Sequence, residues 1–130
     1  MEIKLVLPDT NILIPALGRV EPYASFLEKL IRSKNLAISV ITASEFLVKA
    51  RVDEEKIFNA LLQRVNIFSI DLPIAQLGAA YRKKYLEKGK KIALPDCFIA
   101  ATCKIHRVTL ATLNKKDYPM EDFKILDKFK

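Results

Sequence analysis

Short apolar runs alternate along the chain with longer segments whose apolar residues recur at helical spacing. The runs predict strands at Glu2 to Leu7, Leu36 to Ile41, Val65 to Ile70, Val108 to Thr112 and, as a candidate fifth, Phe123 to Leu126. The segments between them predict helices at Thr10 to Leu17, Glu21 to Ser33, Thr42 to Arg51, Glu54 to Arg64, Leu72 to Glu87 and Pro95 to Arg107. This alternation is typical of an α/β fold with a parallel sheet and right-handed crossovers. In such sheets, ligands bind outside the carboxyl ends of the strands.

Acidic residues stand at these strand ends. Asp9 follows the first strand, Glu45 comes one helical turn after the second, Asp71 follows the third, and Asn114 and Asp117 follow the fourth. Asp96 lies in the first turn of the last helix, which is apolar on nearly every side and leads back to the fourth strand. Asp9 and Asp96 both end a Leu-Pro-Asp tripeptide. The pattern predicts that these acids meet at one edge of the sheet.

Helix capping offers another explanation for each acid taken singly. Thr42 and Glu45 have the spacing of a capping box, and Asn114 and Asp117 have the same spacing. Asp71 and Asp53 are suited to cap the helices that follow them. Capping is the favoured role for Glu45, Asp71 and Asp117 when each is considered alone, whereas Asp9 and Asp96 suit either role.

The acids taken together favour a metal site. Neighbouring carboxylates repel one another unless a cation neutralises them, and a set of hard oxygen ligands suits Mg²⁺ or Mn²⁺. His106 is the single histidine, and neither cysteine has zinc-ligand spacing, so neither zinc nor a Ser-His-Asp triad is expected. Glycine-rich phosphate-binding loops are also absent from the sequence.

The positive charge of the chain is concentrated in one segment. The formal net charge is +7, and the stretch from Arg82 to Lys91 contributes six basic residues and one acid, which is +5. Its basic residues are Arg82, Lys83, Lys84, Lys88, Lys90 and Lys91. A basic rim beside an acidic metal site would hold a nucleic-acid backbone. The alternative, a solvated helix end followed by a loop, explains the same residues about equally well.

Composition narrows the class of protein. The chain has 130 residues, 51% of them hydrophobic, and this is enough for one compact domain over 1–130 with a sizeable core. Apolar runs fall short of the ~20 residues that span a bilayer, and the N-terminus does not resemble a signal peptide. A cytoplasmic protein without membrane contact is therefore expected.

Three stretches resemble the motifs of the PIN-domain family, and within it the VapC-type toxin ribonucleases. They are LPDTNILI with Asp9, ISVITASEFL with Glu45, and LPDCFIAATCKIHRVTLATLNKKDYP with Asp96 and Asp117. The resemblance extends from Ile3 to about Tyr118, and its last stretch is the most specific.

The resemblance implies a three-layer α/β/α fold around a parallel sheet of four to five strands. It implies an endoribonuclease that uses Mg²⁺ or Mn²⁺ and acts on structured RNA. Asp9 and Asp96 would bind the metal, Glu45 would orient or deprotonate the attacking water, and Asp117 would supply the remaining charge. Asn114 stands where some members carry Asp, so it is expected to hydrogen-bond within the site. Thr10, Asn11 and Thr112 would support the acids, and Asp71 falls outside the motifs.

The resemblance also implies partners. Proteins of this type are usually dimers that a small antitoxin silences by packing on an apolar groove. Candidate groove residues are Phe26, Leu27, Leu30, Phe46 and Leu47, although a core position is favoured for most of them. Two other functions fit the sequence: a housekeeping RNA-processing nuclease without antitoxin, and a catalytically silent RNA-binding module whose acids only cap helices. A pure scaffold would leave three acid motifs as coincidence.

Overall fold

All five predicted strands and all six predicted helices are present in the structure, a computed structural model that describes residues 4–129. The strands are β1 Val6–Pro8, β2 Ala37–Ser39, β3 Asn66–Phe68, β4 Thr109–Ala111 and β5 Ile125–Leu126. The helices are α1 Thr10–Leu17, α2 Tyr23–Arg32, α3 Val40–Lys49, α4 Val52–Leu62, α5 Leu72–Glu87 and α6 Leu94–His106, with a short 3-10 helix at Lys115–Asp117. The first residues of the predicted first strand, Glu2 and Ile3, lie outside the described part.

The strands are parallel and have the order β3-β2-β1-β4-β5. β4 lies between β1 and β5, and β2 pairs with β3. A parallel bridge between Val6 and Leu36 places β2 beside β1 and joins the two groups of strands. From β1 the chain moves in one direction to β2 and β3, and β4 lies on the other side of β1. The switch point of this open sheet, where ligands bind, is therefore between β1 and β4.

Helices cover both faces of the sheet, as the predicted three-layer fold requires. Leu7 and Ala37 point to one face and belong to a buried cluster with α5 and α6. Leu36 and Ile38, which flank Ala37 along the chain, belong to a second cluster with helices α1 to α4. This division follows from the alternation of side chains along a strand.

Close contact between α5 and α6 fixes the start of α6 against the rest of the molecule. A Cβ atom on Gly78 of α5 would lie 2.5 Å from the Cδ1 atom of Phe98, so glycine lets the two helices approach. The turn between the helices contains Gly89 with φ +77°, a left-handed conformation that favours glycine. Asp96 lies in the first turn of α6 and is positioned by this packing.

Two predicted helix caps are wrong, and one is confirmed. α3 begins at Val40 because the Ser39 hydroxyl accepts a hydrogen bond from the Ile41 N–H, 3.1 Å away, so Thr42 does not start a capping box with Glu45. Asp53 lies inside the first turn of α4 and does not precede it. Asp71 caps α5 as predicted, since its carboxylate accepts from the Ile74 N–H at 3.1 Å.

Among residues 4–129, no helix combines the length and the apolar character needed to span a membrane.

Candidate metal centre at the carboxyl ends of the strands

Asp9 is buried at the end of the central strand. Its backbone N–H donates to the carbonyl of Ala111 at 2.8 Å, which continues the ladder between β1 and β4. Its Oδ1 atom accepts from the Thr10 N–H at 2.8 Å and so caps α1. Its Oδ2 atom accepts from the Thr112 hydroxyl at 3.2 Å. Only 8% of Asp9 is exposed, and these hydrogen bonds compensate for the burial of its carboxylate.

Asn11 and Thr112 connect the start of α1 to the segment after β4. The Asn11 side-chain amide donates to the Thr112 hydroxyl at 3.2 Å, and its carbonyl oxygen accepts from the Leu113 N–H at 3.0 Å. The Thr112 hydroxyl also accepts from the Asn114 N–H at 3.1 Å. The Asn11 amide also lies 3.5 Å from Oδ2 of Asp9, so both side chains contact this carboxylate.

Asp96 lies close to Asp9, and its environment disfavours the ionised form. Burial and then the negative charge of Asp9 raise the pKa of Asp96 to about 6. A hydrogen bond from Tyr118 opposes this rise, and the charges of Asp117 and Glu45 add to it. All four predicted acids are therefore close enough to interact electrostatically at one edge of the sheet.

Tyr118 connects the two central acids, a role that the sequence analysis did not assign. Its hydroxyl oxygen lies 3.0 Å from Oδ2 of Asp9 and 3.2 Å from Oδ1 of Asp96. The residue is 2% exposed, and burial together with both negative charges raises the pKa of its hydroxyl. The only sequence signal was a tyrosine at the aromatic position after Asp117, where the ring predicts packing and the hydroxyl predicts a polar partner.

Glu45 and Asp117 lie farther out than the central pair. Glu45 is exposed, and its Oε1 atom accepts from the Thr10 hydroxyl at 3.2 Å. Asp117 is partly buried at the end of the 3-10 helix. Asn114 is exposed, and within residues 4–129 it contributes to the site through its backbone N–H and not through its side chain.

The central donors fit a hard divalent cation. Within the described residues, no three His, Cys, Asp or Glu side chains are close enough to hold one ion together. The two carboxylates that could hold an ion are those of Asp9 and Asp96, because both lie within hydrogen-bonding distance of the same Tyr118 hydroxyl. Mg²⁺ is usually bound through one or two carboxylates and keeps several waters, so two acids and open positions match its preference.

The basic segment lies beside this centre. Lys90 and Lys91 are exposed in the connection that runs directly into α6. Lys84 and Lys88 place their ammonium groups 5.5 and 5.6 Å from the centre of the Tyr85 ring. Lys83 is exposed, and the described part of the chain shows no ion pair for any of these lysines.

Arg82 differs from the lysines because it is partly buried. Its Nε atom is buried and has no hydrogen-bond partner among residues 4–129. Its positive charge opposes the rise that burial causes in the pKa of the Cys97 thiol, which places Arg82 beside the residue after Asp96.

Most of the predicted groove residues belong to the core. Leu27, Leu30 and Phe46 are 3–8% exposed and pack in the cluster beneath α1 to α4, which confirms the favoured core position. Phe26 and Leu47 are partly buried against the same cluster.

A carboxylate centre at the switch point of an open parallel sheet defines an α/β protein suited to chemistry that depends on a divalent cation. The sequence model of the PIN domain matches residues 6–122, and the chain belongs to the PIN-domain family.

The comparisons also identify similar proteins. Ribonuclease VapC10 of Mycobacterium tuberculosis is 29% identical over 116 residues, which are 89% of this chain and 87% of the relative. Toxin FitB of Neisseria gonorrhoeae is 31% identical over 122 residues, covering 83% of this chain and 86% of FitB. A solved toxin-antitoxin complex from Klebsiella pneumoniae contains a chain with a TM-score of 0.73 and 32% identity, with 92% of this chain and 99% of that chain covered.

Replacement of Asp96 by Asn should stabilise the metal-free protein at neutral pH. Because the folded-state pKa of Asp96 lies above its ordinary value of 3.8, wild-type stability falls as the pH rises from about 4 to about 6 and stays lower above that range. The full shift corresponds to ~3 kcal/mol, and solvent screening reduces the expected gain for Asp96→Asn to about 1–1.5 kcal/mol.

Urea unfolding in EDTA at several pH values measures this gain. Asp71→Asn is the matched control, because Asn caps helices as well as Asp does and Asp71 lies outside the centre. A gain at neutral pH that persists below pH ~4 would contradict a charge-based cause.

Proposed function

We propose that this protein is a Mg²⁺- or Mn²⁺-dependent endoribonuclease that hydrolyses RNA phosphodiester bonds and acts as the toxin of a toxin-antitoxin pair. The observation that carries the proposal is that buried Asp9 and partly buried Asp96 both lie within hydrogen-bonding distance of the Tyr118 hydroxyl at the switch point of the sheet. The similarity to a ribonuclease and to a toxin of the same family supports the type of activity.

Asp9 and Asp96 would hold the metal. When bound, Mg²⁺ or Mn²⁺ supplies charge stabilisation to the phosphoryl group and lowers the pKa of a bound water. Because the Asp9 Oδ2 atom already accepts hydrogen bonds from Thr112 and Tyr118, Oδ1 is the atom with more free capacity. Hydrogen bonds from Asn11 and Thr112 keep the Asp9 carboxylate in one orientation, so that it would present the same oxygen to the metal throughout the reaction.

Glu45 is the residue best suited to accept the proton of the attacking water. Its carboxylate is exposed at the rim, and the Thr10 hydroxyl orients it. The water oxygen would bond to phosphorus while Glu45 takes its proton. The bond from phosphorus to the ester oxygen of the neighbouring nucleotide would break, and that oxygen would leave as a hydroxyl after taking a proton from solvent. Asp117 contributes negative charge to the same edge, and Asn114 positions the segment that carries it.

Arg82 and the lysines of the basic segment would contact the RNA backbone. Lys90 and Lys91 are closest in sequence to Asp96, so their charges are suited to phosphates next to the cut site. Lys83, Lys84 and Lys88 would extend the contact along α5.

The proposed partners are an antitoxin and a second copy of the chain in a homodimer, and the proposed location is the cytoplasm. The antitoxin follows from the solved toxin-antitoxin complex with a similar chain. Val48, Val52 and Ile57 are 59–82% exposed on α3 and α4, on the side of the molecule that carries Glu45, and they are suited to cover by an apolar partner segment. The alternative of an RNA-processing enzyme without antitoxin keeps the nuclease centre unchanged.

Asp96→Asn should abolish RNA cleavage, with a loss of at least ~100-fold, because it removes a metal-ligand charge and almost no volume. The purified protein is incubated with varied RNAs and Mg²⁺ or Mn²⁺, and EDTA should stop the reaction. Asp71→Asn serves as the control and should keep wild-type activity. Cleavage by Asp96→Asn at the wild-type rate would contradict the assigned centre, whereas RNA binding without cleavage in the wild type would favour the silent binding module.

Alanine at both Lys90 and Lys91 should weaken RNA binding and reduce its dependence on salt. Loss of two phosphate contacts lowers the slope of log K against log salt by about 1.4 for single-stranded RNA. Fluorescence anisotropy in EDTA measures binding without cleavage. The control replaces Lys104 and Lys124, which are exposed at the opposite edge of the sheet and line a cavity of about 480 Å³ there. Equal slopes for the two double variants would place the RNA elsewhere.

Expression of the chain alone in bacterial cells should arrest growth, and expression of Asp96→Asn should not. Co-expression of the antitoxin encoded beside the gene should restore growth, because a bound partner blocks access to the centre. Plate counts after induction measure both effects. Normal growth with the wild-type chain, when the purified protein cleaves RNA, would favour the housekeeping nuclease.

A further inference from the structure

The position of the Tyr118 hydroxyl is fixed by the core and not by the carboxylates alone. Its ring belongs to the buried cluster under α5 and α6, and its backbone N–H donates to the Lys115 carbonyl at 3.0 Å. A side chain held from behind in this way cannot follow Asp9 or Asp96 if either moves. The hydroxyl therefore keeps one position, and both carboxylates lie within hydrogen-bonding distance of it.

Phenylalanine at position 118 would fill the core equally well. The hydroxyl adds no apolar contact, and a buried hydroxyl costs free energy unless it is hydrogen-bonded. Its partners in the described structure are Asp9 Oδ2 and Asp96 Oδ1. The oxygen atom of Tyr118 thus has a role only in relation to these two acids.

We propose that Tyr118 is a positioning residue that holds Asp9 and Asp96 at the separation a divalent cation requires before the cation binds. This inference rests on the proposed function, because it assigns a role within the same centre.

The physical reason is the repulsion between the acids. Two carboxylates without a cation tend to separate, and one donated hydroxyl proton shared between them reduces that tendency. Tyr118 has a single proton, so it donates to one acid at a time and does not neutralise the pair. The cation remains necessary, and it finds its two ligands already oriented. Removal of such orienting partners commonly weakens metal affinity by about 10–100-fold.

The test is Mn²⁺ binding to Tyr118→Phe, measured by isothermal titration calorimetry without RNA. We expect binding about 10-fold or more weaker than in the wild type. The pH is set about two units above the pKa of Asp96, so that altered protonation of this acid does not contribute. Thermal unfolding in EDTA checks that the variant folds.

Tyr81→Phe is the matched control. Tyr81 is also buried, and its hydroxyl donates to the carboxylate of Asp122, 2.8–2.9 Å away and outside the centre. The same atom is removed from the same kind of hydrogen bond, so Mn²⁺ affinity should stay at the wild-type value. Equal weakening in both variants would show a general structural effect and overturn the inference.

Cleavage assays separate positioning from catalysis. In Tyr118→Phe, the Mg²⁺ concentration for half-maximal cleavage should rise about as much as the Mn²⁺ dissociation constant, and the rate at saturating Mg²⁺ should approach that of the wild type. Unchanged metal affinity in Tyr118→Phe, with a wild type that binds and cleaves, would overturn this inference and leave the proposed function in place. A wild type that binds no Mn²⁺ would overturn the proposed function itself.

Discussion

The structure depends at its centre on two acids that repel each other and are nevertheless held against one hydroxyl. Asp9 is 8% exposed, Asp96 is partly buried, and Tyr118 contacts both. Burial and mutual repulsion raise the pKa of Asp96, so the fold maintains this arrangement at a cost in stability. Sites of this kind persist where the surrounding structure determines them and where the chemistry needs them.

The strands and helices around the centre each position one of its side chains. β1 and β4 place Asp9 and Thr112 next to each other at the switch point, and Asn11 connects the two segments. Close packing of α5 and α6 at Gly78 fixes the first turn of α6, which carries Asp96. The position of Asp9 at the end of β1 and of Asp96 in the first turn of α6 is therefore determined by the packing of the core behind them.

The strands and α-helices were predictable because they depend on local patterns of apolar and polar residues. Helical spacing and apolar runs located the five strands and six α-helices of the described residues but not the 3-10 helix at Lys115–Asp117, and α1 and α5 have their predicted bounds. The start of α3 was misplaced because Thr42 and Glu45 satisfy a local capping pattern, whereas Ser39 caps the helix and Glu45 binds Thr10, 35 positions away. The role of Tyr118 depends on a contact 109 positions distant, which no local pattern contains.

The basic residues and the acids of the proposed site occupy different segments of the chain. A polyanion approaching Asp9 and Asp96 alone would be repelled, because like charges at close range are unfavourable. The basic residues between α5 and α6 lie next to Asp96 in sequence and are exposed, so in the proposed function they would attract phosphate at the rim. Asp9 is buried and Asp96 is partly buried. An RNA backbone bound at the basic rim would approach the carboxylates of Asp9 and Asp96 only if a cation lay between them and its phosphate. This requirement would confine the proposed cleavage to the position of the cation.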